Sequence, residues 1–307
     1  MTSAPQLLPP RVVARLRSSL TESPAPDRYR LIEVVGEGGM GVVWRARDTL
    51  LERDVAIKLI SAHLDGDALV ARLAREARIL AALEHPGIVP VFDLGVGGGG
   101  GAGAAWYAMR LVRGVRLDVA ARDGRSRRDL LRIVEQVCDT VAYAHSHGVL
   151  HRDLKPGNVM LGPFGEVLIL DWGVAGDEAA HEPGVVVGTP GFMPPEQARA
   201  LPADERSDVF GIGAILRELV AVHDDPTPRA LRSVVDRACA PDPSLRYPTA
   251  EALRDDIRRF AAGERPLAHR ETVIETVSRW FDTYRAAILL VMAYLVMRVA
   301  ILLWRGI

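Results

Sequence analysis

Lys58 and Lys155 are the only lysines in a sequence of 307 residues that carries 38 basic side chains; every other basic residue is arginine. Lysine presents a compact point charge on a flexible stem, whereas arginine is a broad planar fork, so a tight phosphate cradle can accept the one and reject the other. Each lysine closes or occupies a distinctive run. Lys58 ends Val55-Ala56-Ile57-Lys58, and Lys155 lies in His151-Arg152-Asp153-Leu154-Lys155-Pro156-Gly157-Asn158. Upstream, Gly36-Glu37-Gly38-Gly39-Met40-Gly41-Val42-Val43 has G-x-G-x-x-G spacing. In a dinucleotide-binding fold such glycines open a helix, with an acidic residue about 20 positions later. Here Val42-Val43-Trp44 continues as a strand, so the glycines form a hairpin whose backbone amides can approach phosphate groups. The chemistry these residues share is the handling of phosphate.

The elements that must position them follow from periodicity. Strand-like runs at 30–35, 41–46 and 55–60, each bounded by Gly or Asp turn signals, predict an antiparallel sheet. Residues 68–83 have amphipathic helical spacing, with Leu69, Leu73, Ala77 and Leu80 on one face. Strands are expected again at 88–92 and 106–111. The glycine-rich tract between them, 95–103, is read as a hairpin loop, because no Lys-Ser/Thr and no helix start follows it. From Asp129 onward Leu131, Val134, Val137, Cys138, Val141 and Ala142 make a helical apolar stripe, and further helices are expected at 207–222, 228–239 and 249–262. Strands first and helices after is an α+β pattern.

Composition narrows the function classes. A chain 49% hydrophobic and 25% charged has enough apolar content for a two-lobed domain, and a formal net charge of −1 with arginines interspersed among acids excludes nucleic acid as the expected partner. Cys138 and Cys239 fall in helical stripes and are expected to be packing residues in a reducing cytosol. Residues 1–28 form a Pro-rich tail, with one short helical stretch at 11–20 and no signal-peptide pattern. Residues 286–304 are nearly unbroken apolar, about 28 Å as a helix against a hydrocarbon core of roughly 30 Å. Trp280, Phe281, Tyr284 and Trp304 stand where interfacial anchors belong, and Arg279 and Arg285 outnumber Arg305 on the other flank. These residues predict a single transmembrane helix after a juxtamembrane linker at 263–285. The domain would then lie on the cytoplasmic side of the cell's inner membrane, with lipid as a partner. Arg298 opposes this at about 2.5–3.5 kcal/mol for a central arginine, yet it lies about 9 Å from Trp304 and can snorkel. A buried dimerisation helix would show a polar face, which this segment lacks.

In chain order the glycine hairpin, Lys58, the His151 run, Asp171-Trp172-Gly173 and Pro194-Pro195-Glu196 resemble the serine/threonine protein kinase superfamily, most closely the membrane-linked eukaryotic-like kinases of bacteria. The resemblance covers 29–262. It implies a small antiparallel-sheet lobe with one main helix at 29–109 and a larger helical lobe at 114–262. It also implies ATP and Mg²⁺, with Mn²⁺ an alternative ion, and transfer of the γ-phosphate to Ser or Thr hydroxyls of a protein substrate. By the same resemblance Gly36, Glu37, Gly38, Gly39, Gly41, Val43 and Ala56 enclose the nucleotide, and Met109 guards the adenine pocket before the hinge Arg110-Leu111-Val112. Lys58 is expected to hold the α- and β-phosphates and pair with Glu76. Asp153 is expected to take the hydroxyl proton, Lys155 to steady the transferring group, and Asn158 and Asp171 to ligate Mg²⁺. The resemblance further implies that Thr189 orients Asp153, that Glu196 pairs with Arg246, and that Asp208 ties the catalytic-loop backbone.

Four features depart from the family pattern. Trp172 replaces the usual Phe, Pro194 replaces an Ala, and only a short connection spans Val220 to Ala230, where a docking loop and helix are usual. The fourth concerns regulation, because Thr189 is the sole hydroxyl-bearing residue from Asp171 to Glu196 although Arg152 would ordinarily meet a phosphorylated one. Asp177, Glu178 or Glu182, or pairing of two copies as a homodimer in the membrane plane, would then order that loop. The rival reading is a catalytically weak pseudokinase that binds ATP or a partner as a membrane scaffold.

Overall fold

The computed structural model describes residues 28–38, 41–60, 66–96, 105–172, 189–222, 225–269, 284, 289–298 and 304. The first lobe contains β1 (Tyr29–Gly38), β2 (Gly41–Asp48), β3 (Arg53–Ile60), α1 (Gly66–Ala82), β4 (Val91–Val96) and β5 (Ala105–Arg110). They form a five-stranded sheet in the order β1-β2-β3-β5-β4, every neighbour antiparallel. Register decides what the sheet presents. Val43 lies opposite Lys58, Lys58 opposite Tyr107, and Ala56 opposite Met109. Directly opposed residues share a face, as do alternate residues of one strand, so these five side chains line one side of the sheet. The other side carries a separate core of Tyr29, Ala46, Val55, Ile57, Leu59, Trp106 and Ala108. α1 buries Leu73, Ala77 and Leu80 in the core that contains Tyr107 and continues into the second lobe.

The second lobe opens with β6 (Val115–Arg116) and α2 (Leu117–Ala120), then α3 (Arg127–Ser146), whose N-cap Ser126 accepts a hydrogen bond from the Asp129 amide. A 3₁₀ turn (Pro156–Asn158) leads into β7 (Val159–Leu161), which pairs with β6 on one side and with β8 (Val167–Ile169) on the other. Four helices follow: α4 (Pro195–Ala198), α5 (Glu205–Ala221), α6 (Arg229–Ala238) and α7 (Ala250–Ala261). α3 packs between α5 and α7, and buries Val134, Val137, Cys138 and Val141. Cys138 and Cys239 are both free thiols.

Several expectations shift. The strand expected at 88–92 begins at Val91, because Pro90 has no N–H to give the ladder, and Ile88 instead makes an isolated parallel bridge with Ile169 of the other lobe. The strand expected to end at Leu111 stops at Arg110. The helix expected from 207 starts at Glu205, capped by the Asp204 carboxylate on the Arg206 amide. The small β6-β7-β8 sheet was not anticipated, since pieces of two or three residues carry no period. β4 and β5 are antiparallel neighbours with Val96 opposite Ala105, and residues 97–103 of the glycine-rich tract lie outside the described residues. The N-terminal helix expectation at 11–20, most of the 263–285 linker and much of 286–304 lie outside the described residues. Among the described residues no helix is long and apolar enough to cross a membrane.

Two buried ion-pair and hydrogen-bond clusters close the second lobe. Arg246 meets Glu196 through two parallel bonds of 2.7 and 2.8 Å and also donates to the carbonyls of Ala240, Arg206 and Pro241. Buried Asp256 accepts from the Leu267 and Ala268 amides and from the Tyr247 hydroxyl, so the chain beyond α7 stays packed on the domain. Burial works against the Glu196 carboxylate, but Arg246 and Ser207 more than offset it and hold the group below its ordinary range. A depressed carboxylate contributes stability that is present above its unfolded value, about 4.3, and is lost as pH falls through the lower folded value. Arg246→Met should therefore cost about 3–5 kcal/mol at neutral pH by leaving a buried charge alone. Urea midpoints measured from pH 7 to pH 3 should show the deficit shrinking on the acid side, and Glu196→Leu added to Arg246→Met should recover part of it.

Candidate active site

Lys58 extends from the middle of β3 under the sheet, where it is 7% exposed. Its Nζ donates to Glu76 Oε1 at 2.8 Å and Oε2 at 3.0 Å, and to Asp171 Oδ1 at 3.2 Å. Burial penalises the ammonium, yet Tyr107 and the carboxylates of Asp171 and Glu76 outweigh the penalty and hold its pKa above the ordinary value. Asp171, whose side chain is 47% exposed, carries a desolvation penalty from the surrounding protein that Lys58 more than offsets, so its pKa lies below the usual range. One cation thereby joins β3, α1 and the segment after β8.

The catalytic-loop run is shaped from beneath by Asp208, a fully buried carboxylate on α5. Its Oδ2 accepts from the His151 amide and from His145 Nε2, both at 2.8 Å, and its Oδ1 accepts from the Arg152 amide at 2.7 Å. Burial raises the cost of that charge, and the bond from His145 leads the interactions that keep it ionised. The loop needs this hold, because Arg152 sits at a positive φ of 66°, which non-glycine residues rarely adopt; Asp171, beyond β8, is also at positive φ, 61°. His151 fixes the next turn: Nδ1 accepts from the Asp153 amide at 3.2 Å, so Nε2 carries the hydrogen that it donates to the Leu170 carbonyl at 3.0 Å.

Asp153 is thereby presented with both oxygens engaged. Oδ1 accepts from the Thr189 hydroxyl at 3.1 Å, and Oδ2 accepts from Lys155 Nζ at 2.7 Å and Asn158 Nδ2 at 3.3 Å. Lys155 also donates to Thr189 Oγ1 at 2.8 Å. Asn158 spends its amide hydrogens on the Asp153 carbonyl and carboxylate, and its own backbone carbonyl accepts from the Leu170 amide at 2.7 Å. Asn158 and Asp171, the two residues expected to hold metal, are thus tied through neighbouring backbone. Asn158 Oδ1 and Asp171 Oδ2 receive no hydrogen bond from a described residue. A hard divalent cation favours such oxygen donors, and Mg²⁺ commonly binds through one or two protein oxygens plus substrate phosphates. Among the described residues no group of three or more His, Cys, Asp or Glu could hold a metal alone.

The nucleotide-side residues are placed by the sheet. Gly36 lies opposite Val43, Glu37 opposite Val42, and Gly38 opposite Gly41, whose φ of 139° suits a residue without Cβ; Gly39 lies outside the described residues. Val43 and Met109 are half-buried and Ala56 is buried on the face shared with Lys58, and half-buried Leu111 follows β5. Trp172 is 1% exposed, donates its indole N–H to the Ile169 carbonyl at 3.2 Å and packs on the His151 ring, so the larger ring is accommodated with its polar atom satisfied.

Sequence reasoning missed three residues. Tyr107 donates to Glu76 Oε1 at 2.9 Å, His145 supports Asp208, and Gln197 donates to the Arg152 carbonyl at 2.7 Å. None carries a local signal, because each acts through a pairing far away in sequence. Only the strand register of Lys58 against Tyr107 could have exposed the first.

Residues 29–228 match the protein kinase domain family. The chain is 33% identical to serine/threonine-protein kinase PknD of Chlamydia felis, an alignment covering 91% of this chain and 36% of that protein. It is 35% identical to serine/threonine-protein kinase PknB of Mycolicibacterium smegmatis, over 78% of this chain and 44% of the relative, and 34% identical to PknB of Mycobacterium tuberculosis, over 81% and 45%. The chain thus spans less than half the length of these relatives. With the family match covering most of the chain and the lysine, carboxylate and amide groups converging as described, this chain belongs to the protein kinase domain family.

Proposed function

We propose that this chain transfers the γ-phosphate of Mg²⁺-bound ATP to serine or threonine hydroxyls of proteins, and that a C-terminal apolar helix holds it at the cytoplasmic face of the cell's inner membrane. The observation that carries the first part is the convergence of Thr189, Lys155 and Asn158 on Asp153, tied by backbone to Asp171 and through it to Lys58 and Glu76. Asp153 accepts the hydrogen bond of the incoming hydroxyl and takes up its proton as oxygen bonds to the γ-phosphorus and ADP departs. Lys155 moves from Asp153 toward the transferring group, where its charge offsets the negative oxygens. Lys58 grips the α- and β-phosphates without losing Glu76. Asn158 and Asp171 would hold Mg²⁺, which would supply positive charge against the negative charge of the phosphates. The described relatives are named serine/threonine-protein kinases, which supports the choice of acceptor.

The membrane reading is supported by the described part of the C-terminal segment. Residues 289–298 are helical and apolar around their circumference up to Arg298, and Leu289, Leu290, Val291 and Val296 are each more than half exposed, at 66%, 72%, 57% and 64%. A helix apolar all round is one that expects hydrocarbon or protein on every side. Arg298 reaches toward the Tyr294 hydroxyl.

The central test is Mg²⁺-dependent transfer from γ-labelled ATP to a generic basic protein. Label should appear on Ser or Thr, vanish with Asp153→Asn, and fall at least about 100-fold with Lys58→Arg, although this chain tolerates arginine at every other basic position but one. ATP binding without transfer under all conditions would instead favour the scaffold. For the anchor, the full chain should stay in the membrane pellet through alkaline carbonate and enter the supernatant only with detergent. A chain ending near residue 270 should be recovered without detergent, and a full chain released by carbonate alone would overturn the anchor.

A further inference from the structure

We propose that Tyr107 is a positioning residue for the phosphate-binding lysine: its phenol latches Glu76, and through it α1, in the arrangement that aligns Lys58. The inference deepens the ATP-dependent reading above and rests on it. Lys58 on β3 and Tyr107 on β5 stand directly opposite each other, so both side chains leave the sheet on the α1 side. There they converge on one oxygen, Glu76 Oε1, at 2.8 and 2.9 Å, with all three side chains 7% exposed or less.

The two donors are not equivalent. The lysine is a flexible stem with another claim on it, Asp171 at 3.2 Å, and in use it divides its donors further between Glu76 and phosphate. The phenol hydroxyl sits on a rigid ring and makes no other hydrogen bond among the described residues. It is therefore the donor that can keep Glu76 in place while Lys58 works. Leu73, Ala77 and Leu80 bury α1 against the sheet, but apolar contact is non-directional and does not set how far the helix slides or rotates. A directional bond to a charged acceptor does. Burial pushes the phenol far above its ordinary pKa, so it stays a donor throughout the working range of pH.

The sequence gives this latch a reason. Between Asp171 and Glu196 the only hydroxyl is Thr189, and that hydroxyl is already bonded to Asp153 and Lys155. Phosphate added in that segment is thus no means of holding α1 in position, and the hold is built into β5 instead.

Tyr107→Phe in the full chain removes one oxygen and keeps the ring. Calorimetry with Mg²⁺·ATP and with adenosine, in parallel with kinetics, separates phosphate alignment from pocket packing. The expected result is ATP affinity weaker by about tenfold and KM for ATP raised to match, the size of losing part of a hydrogen bond to a charged group. Adenosine affinity should be unchanged, and in a Glu76→Gln background Tyr107→Phe should add little. Equal losses for ATP and adenosine, an undiminished ATP affinity, or a full effect that persists beside Glu76→Gln would each overturn the latch. If the wild-type chain bound nucleotide but transferred no phosphate, the kinase reading would fall while the binding cycle still decided the role of Tyr107.

Discussion

A single buried ammonium group organises the first lobe and its junction with the second. Removing Lys58 from water is costly, and the charge persists only because Glu76 and Asp171 lie within 3.2 Å. That requirement constrains three elements together: β3 must hold its register, α1 must lie close enough to bring Glu76 under the sheet, and the backbone at Asp171 must bend through a positive φ of 61° to turn its carboxylate inward. Losing Lys58 would leave the Glu76 carboxylate buried without a cation, and losing Glu76 would leave the ammonium to Asp171 alone. A lysine is a compact charge on a flexible stem that can meet two carboxylates in so tight a space, which fits its retention here in an arginine-rich sequence.

Asp208 plays the corresponding part below the cleft. It is a buried anion neutralised by backbone amides and by His145 rather than by a cation from solvent, so the strained Arg152 conformation is held by the large helical core around α5. The catalytic groups above it inherit that rigidity. Asp153, Lys155, Asn158 and Thr189 form one bonded set, and the Leu170 amide on the Asn158 carbonyl joins that set to Asp171. The two anchored halves meet at one carboxylate, so the alignment for transfer is set by two buried charges on different lobes.

The lobes and most of the candidate site were legible because their signals are local. Val55 to Lys58, the His151 run and Asp171 each carry their identity within a few residues, and α3, α5, α6 and α7 show apolar stripes longer than two turns. The pairing of Glu196 with Arg246 was legible only through resemblance, since 50 residues separate them. What stayed hidden was set by register or by single caps. Tyr107 and Lys58 meet because β3 and β5 pair across an intervening helix and strand, and no period in either strand encodes that alignment. The β6-β7-β8 sheet is too short to have a period, and Pro90 displaced β4 by a backbone hydrogen that it lacks.

Together these contacts describe the candidate site groups brought into alignment, among the described residues, by buried charge and sheet register. The most direct test is a rapid-quench time course of phosphate transfer by phosphatase-treated full-length chain, started by mixing with Mg²⁺·ATP and acceptor. Preassembly predicts product accumulating at its full rate from the first turnover. A lag that disappears after the chain has been preincubated with ATP would show that the site must first be built by modification, and would contradict the account.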